Sequence, residues 1–124
     1  MTATALRNEI KGEVLEQSSP GFDAALAGLL WNQLRADRRP DVIIRVRDEQ
    51  DVVKAVKFAD SNGLRVVARG GGHSWCGLAA RNGGMFIDLE QLNEIVVEPA
   101  LRRASIQPFV SLYPAAQLLR PHGA

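Results

Sequence analysis

The chain has 124 residues, 46% of them hydrophobic and 23% charged, which allows one small core and argues against both a disordered chain and a membrane protein. Fifteen Lys and Arg against fourteen Asp and Glu leave a net charge of +1, no electrostatic footprint for nucleic acid. The single cysteine, Cys76, rules out an internal disulfide and is compatible with a reducing compartment.

The first ten residues, MTATALRNEI, carry neither a basic nor an apolar leader pattern, and the longest apolar stretch, residues 24–31, is too short to span a bilayer. A cytoplasmic protein without membrane contact is expected. Residues 1–12 read as a polar lead-in with helical tendency, and the alternation in EVLEQ (13–17) reads as an edge strand. In SSPGFDAALAGLLWNQL, Ser18 or Ser19 is placed to cap a helix with Pro20 in its first turn, and Phe22, Leu26, Leu29, Leu30 and Leu34 share one face. The cluster Arg35, Arg38 and Arg39 reads as a solvated basic turn.

Pro40 then breaks the chain, and the β-branched run predicts a buried strand over 41–47. Asp48 is a candidate N-cap and Asp51 a first-turn acid. Val52, Ala55, Val56 and Ala59 repeat at helical spacing up to Asn62 and Gly63. A second strand follows at 64–69, so strand, helix and strand form a β-α-β unit with parallel strands. A third strand begins at 85, a hairpin turns at Glu98, Pro99 and Ala100, and a helix with Pro114 in its first turn ends near Pro121 or Gly123. The fold class is α+β: a small mixed sheet with a β-α-β unit and flanking helices.

The glycine run lies in RGGGHSWCG (69–77), just past the second strand's C-terminal end, where ligands of open α/β sheets bind. Consecutive glycines let amides converge into a nest suited to phosphate or pyrophosphate. Neither standard phosphate motif fits: Leu78 stands where a Walker loop needs Lys, and Trp75 where a dinucleotide fingerprint needs Gly. A tight turn required only by chain path stays open as the alternative. His73 is no metal ligand on this pattern, because the only other histidine is His122. Trp75 and Cys76 read as packing residues.

The succession from RRPDVIIRVR through ARGGGHSWCG to NGGMFIDLEQLNEIVVEP resembles the N-terminal part of flavin-linked oxidases of the vanillyl-alcohol oxidase and berberine-bridge-enzyme type, from about Trp31 onward. The elements that carry it are the Arg-Pro before the first strand, the R-G-G-G-H-S loop, Gly83 and Gly84 before the I-D-L strand, and the later hairpin. The resemblance implies the first subdomain of the PCMH-type FAD-binding fold over residues 31–124, preceded by a lead-in and helix over 1–30. It implies that the amides of Gly70, Gly71, Gly72, His73 and Ser74 cradle the FAD pyrophosphate, with Arg69 and Gly77 shaping the loop. His73 matches the histidine that in many members bonds covalently to the flavin's ring methyl carbon; Cys76 matches no second attachment residue.

The resemblance further implies a part of a flavin-dependent oxidoreductase, an oxidase of alcohol, sugar or related substrates in the complete protein, whose substrate domain and catalytic base lie outside these residues. Because the family continues into a further strand after the last helix, a fragment is expected, completed by a complementary C-terminal half or by a second copy. The alternative is a non-catalytic binding or dimerisation module that retains the fold.

Overall fold

The computed structural model describes residues 3–32, 37–77 and 79–123. In chain order these form α1 (Thr4–Glu9), β1 (Glu13–Glu16), α2 (Phe22–Gly28), β2 (Val42–Arg45), α3 (Glu49–Ser61), β3 (Val66–Arg69), β4 (Met85–Asp88), β5 (Ile95–Glu98), β6 (Arg103–Ile106) and α4 (Leu112–Leu119). The main sheet has the order β1-β2-β4-β3, with β1 antiparallel at one edge and the other strands parallel. The strands β2 and β3 of the β-α-β unit are parallel as expected, but they do not touch: β4 lies between them. All four residues of β4 are buried, whereas Val66 and Ala68 of β3 are exposed. A strand apolar on both faces takes the centre, and one that tolerates water takes the edge.

Alternation along the strands separates two apolar layers. Val42, Ile44, Met85 and Ile87 face α1 and α3, packing with Leu6, Ala55 and Ala59. Ile43 and Phe86 face α2, packing with Phe22 and Leu29. The expected serine cap of α2 is not used. Gly21, at φ 89°, is the N-cap, while the Ser19 hydroxyl accepts from the Glu16 amide at 3.0 Å and so closes the preceding turn instead. Leu34, placed on this helix from the sequence, lies outside the described residues.

In α3 the Asp48 carboxylate caps the helix by accepting from the Asp51 amide at 3.0 Å. The stripe facing the core differs from the sequence expectation: Asp51, Ala55 and Ala59 are buried, while Val56 is 44% exposed. Positions 51, 55 and 59 stack at four-residue spacing, and Val56 falls a further step around the helix. Asp51 accepts from the amides of Lys11 (2.9 Å), Gly12 (2.9 Å) and Arg47 (3.0 Å), clasping the α1–β1 connection to the start of α3. Lys11 also donates from Nζ to Asp48 at 2.7 Å. That bond, followed by the Asp51 amide, holds the exposed Asp48 carboxyl below its ordinary value.

The hairpin of β5 and β6 turns through Pro99–Leu101, as the sequence predicts. Its base is tied back by Phe109 N–H donating to the Leu92 carbonyl at 3.0 Å and by Gln107 N–H donating to the Glu94 carbonyl at 2.9 Å. Pro114 sits in the first turn of α4, where the missing N–H costs nothing. Only Ala115 of α4 is buried.

Candidate cofactor site

The parallel strands deliver their C-terminal residues to one edge, where Arg45, Asp88 and Arg69 stand side by side in register on β2, β4 and β3. All three side chains point to the α2 face, the parity of Ile43 and Phe86. Arg69 is 7% exposed and Asp88 3%. The Arg69 guanidinium donates from Nε (3.1 Å) and Nη2 (2.9 Å) to Asp88 Oδ1, from Nη1 to the Gly28 carbonyl at 2.6 Å, and from Nη2 to Glu90 at 3.3 Å. The Phe109 ring lies 5.9 Å from its centre, a cation–π separation. Arg69 thus joins β3 to β4, to the end of α2 and to the segment after the hairpin. Its charge is consumed by these partners rather than aimed outward.

The glycine loop leaves β3 directly from this anchor. Gly70 packs against the carbonyl of Pro108. At Gly71 the imidazole of His73 folds back so closely that a β-carbon there would lie 2.5 Å from its Cε1. Gly72 has φ +70°, and a β-carbon on it would lie 2.9 Å from the Leu29 carbonyl oxygen. Side chains are therefore excluded where the backbone turns. Further along, Ser74 Oγ lies 3.8 Å from Cys76 Sγ. The Gly77 amide donates to the Ser74 carbonyl at 3.4 Å, and the Gly77 carbonyl accepts from Ala80 at 2.9 Å, which closes the loop.

Among the described residues, the amides of Gly71, Gly72 and His73 donate to no acceptor. Bare α-carbons and open amides on one turn are what a pyrophosphate requires, so the loop fits the group that the resemblance implies for it. The neighbouring cavity does not. Its volume is about 240 Å³, and it reaches Arg69 but none of residues 70–77. Its carboxylates, Glu13, Asp88 and Glu90, have the wrong sign for a phosphate.

A family model described as FAD binding domain matches residues 40–124. The chain belongs to the FAD binding domain family. Over 97 residues it is 39% identical to the (R)-6-hydroxynicotine oxidase of Paenarthrobacter nicotinovorans, an alignment that covers 78% of this chain and 20% of the relative. The crystal structure of 6-hydroxy-D-nicotine oxidase from Arthrobacter nicotinovorans superposes with a TM-score of 0.80 at 35% identity, over 99% of this chain and 26% of that one. Glucooligosaccharide oxidase from Acremonium strictum, a protein with a 6-S-cysteinyl, 8α-N1-histidyl FAD, superposes with a TM-score of 0.78 at 27% identity, over 98% of this chain and 25% of that one. The chain thus spans about a fifth to a quarter of the length of these relatives. The fold of this FAD-binding domain is the PCMH type that the resemblance implied, with its mixed sheet and flanking helices. No helix of the described residues is long and apolar enough to cross a membrane.

Two contacts of this FAD-binding domain escape a reading of the sequence, and Trp75, expected there as a packing residue, is largely exposed. Asp88 is visible there only as the acid of an apolar strand, and its pairing with Arg69 depends on β4 entering between β2 and β3. Trp31 and Trp75 are T-shaped neighbours, with ring centroids 4.8 Å apart and planes at 85°. No local pattern links them.

The loop's backbone makes a direct prediction. Gly72→Ala should destabilise the fold by more than about 1–2 kcal/mol, because the left-handed backbone alone costs that much and the β-carbon would also press on the Leu29 carbonyl oxygen. Gly28→Ala, where a β-carbon would meet nothing within 4 Å, should lose nothing and gain a few tenths of a kcal/mol from helix propensity. Urea unfolding of the two variants checks the opposite signs.

Proposed function

We propose that this FAD-binding chain holds the pyrophosphate of FAD for a flavin-dependent oxidoreductase, an oxidase of an alcohol, sugar or related substrate in the complete protein. Arg69, Gly70, Gly71, Gly72, His73, Ser74 and Gly77 are its cofactor residues, within a unit of residues 31–124 that follows a lead-in and helix over 1–30. The observation that carries this reading is the turn of open amides at Gly71, Gly72 and His73, set at the C-terminal end of a parallel strand. When bound, FAD supplies a two-electron acceptor that no side chain provides.

The roles of the chain's own residues follow from their places. The amides bind and orient the pyrophosphate, and Arg69, already engaged with Asp88 and the Gly28 carbonyl, is not its counter-cation. Arg69 fixes the angle at which the loop leaves β3. The exposed imidazole of His73 is the attachment residue, a nucleophile when neutral. The histidyl linkage in glucooligosaccharide oxidase supports that assignment. A cytoplasmic location belongs to the same reading, and the free thiol of Cys76 fits a reducing compartment.

Intact mass and the absorption spectrum of the purified chain test the proposal. The expected result is a yellow protein heavier by one FAD less two hydrogens: the His73 imidazole N–H and a methyl C–H of the cofactor would give way to one N–C bond, with dioxygen as the two-electron acceptor. His73→Ala should abolish the mass increase. A colourless chain that also fails to bind added FAD would overturn the proposal.

A second reading is favoured by one observation. Leu112, Tyr113 and Leu118 of α4 are 85%, 72% and 50% exposed, and Val96, Leu101 and Ile106 of the hairpin are exposed beside them in sequence. Such apolar surface fits a binding or dimerisation module, or contact with a complementary C-terminal half. A colourless but dimeric chain in sedimentation would favour the module.

A further inference from the structure

The indole of Trp75 is 77% exposed and that of Trp31 is 47% exposed, although large aromatic rings dominate protein cores and interfaces. These are the chain's two tryptophans, brought together from well-separated segments at the far side of the loop. Their edge-to-face contact and the bond from Asn32 Nδ2 to the Trp75 carbonyl at 3.4 Å brace the loop tip. An edge-to-face pair leaves ring faces uncovered. The Trp75 ring is therefore held in place by protein on one side and presented to solvent on the other, which is the condition of a preorganised contact surface. His73, with its open amide and exposed imidazole, precedes it by two positions.

A dinucleotide held at its pyrophosphate must place a flat ring on either side of that grip. We propose that Trp75, braced by Trp31, is the stacking surface for the isoalloxazine ring of FAD. The inference rests on the reading of the loop given above. It selects the flavin over the adenine because Trp75 follows His73, the proposed attachment residue, by two positions on the same loop.

Calorimetric titration of the whole chain with FAD and with ADP, in a His73→Ala background that keeps binding reversible, tests the proposal. ADP carries the pyrophosphate and adenine without the flavin. Trp75→Leu should weaken FAD binding about tenfold, which corresponds to roughly 1.4 kcal/mol, within the range of aromatic stacking. ADP binding should change by less than about twofold, within the non-additivity of independent sites. Trp75→Phe should restore most of the FAD affinity. An unchanged FAD affinity, or an equal loss for FAD and ADP, overturns the stacking role while leaving the loop reading intact. An altered oligomeric state with FAD affinity unchanged also overturns it, and makes the tryptophan pair a protein interface. If the parent chain binds neither FAD nor ADP, the loop reading itself fails and the stacking surface falls with it.

Discussion

Replacing Arg69 by methionine is expected to destabilise the chain by about 3–5 kcal/mol, the cost of stranding one member of a buried ion pair. The variant keeps the aliphatic volume but leaves Asp88, 3% exposed, with little compensation. Its remaining neighbours would be the Glu90 amide at 3.3 Å and the Arg45 guanidinium at 3.9 Å. The Gly28 carbonyl would lose its donor as well. Because domains of this size are stable by roughly 5–15 kcal/mol, the loss is a large share of the whole. Urea unfolding followed by circular dichroism checks it. The double variant Arg69→Met with Asp88→Leu should recover part of the loss, since no buried charge is left over. A single variant within about 1 kcal/mol of the parent would mean that water screens the pair as it does on a surface.

Asp51→Ala is the other large effect, at about 3 kcal/mol or more, because charge-assisted hydrogen bonds are individually worth about 1.5–3 kcal/mol. Both carboxylate oxygens are engaged: Oδ1 accepts from Lys11, and Oδ2 accepts from Gly12 and Arg47. Asparagine is no remedy, since its amide NH2 would face at least one of those N–H donors. Hydrogen exchange is the specific readout. The amides of Lys11, Gly12 and Arg47 should lose protection in Asp51→Asn, while those of β4 keep theirs. If the protection of all of them fell together, the loss would be global and the clasp no separate element.

These residues show where sequence reasoning succeeds and where it stops. Asp48 announces a helix start because capping is local, and the bond to the Asp51 amide spans three residues. The hairpin at Pro99 and the entry of Pro114 into α4 were legible for the same reason. Asp51 was visible only as a first-turn acid, since its amide donors at Lys11 and Gly12 come from another element. The order β2-β4-β3 was hidden because a β-α-β pattern fixes direction, not adjacency. Within the loop, the glycines and His73 could be singled out by type, but the anchoring of Arg69 by Asp88 and the meeting of Trp31 with Trp75 are products of the assembled fold.

The row of charged residues at the sheet's edge has a further consequence. Glu13 on β1 pairs in register with Arg45 on β2, which pairs with Asp88 on β4, which pairs with Arg69 on β3. Across the sheet the signs alternate: minus, plus, minus, plus. The strands are only four residues long and their apolar runs, VIIR, VVAR and MFID, look much alike. A shift of β4 by one residue would turn Asp88 to the opposite face and set an isoleucine or leucine between two guanidinium groups. The alternating row therefore works as a check code for assembly, accepting one alignment of four short strands and rejecting its near copies.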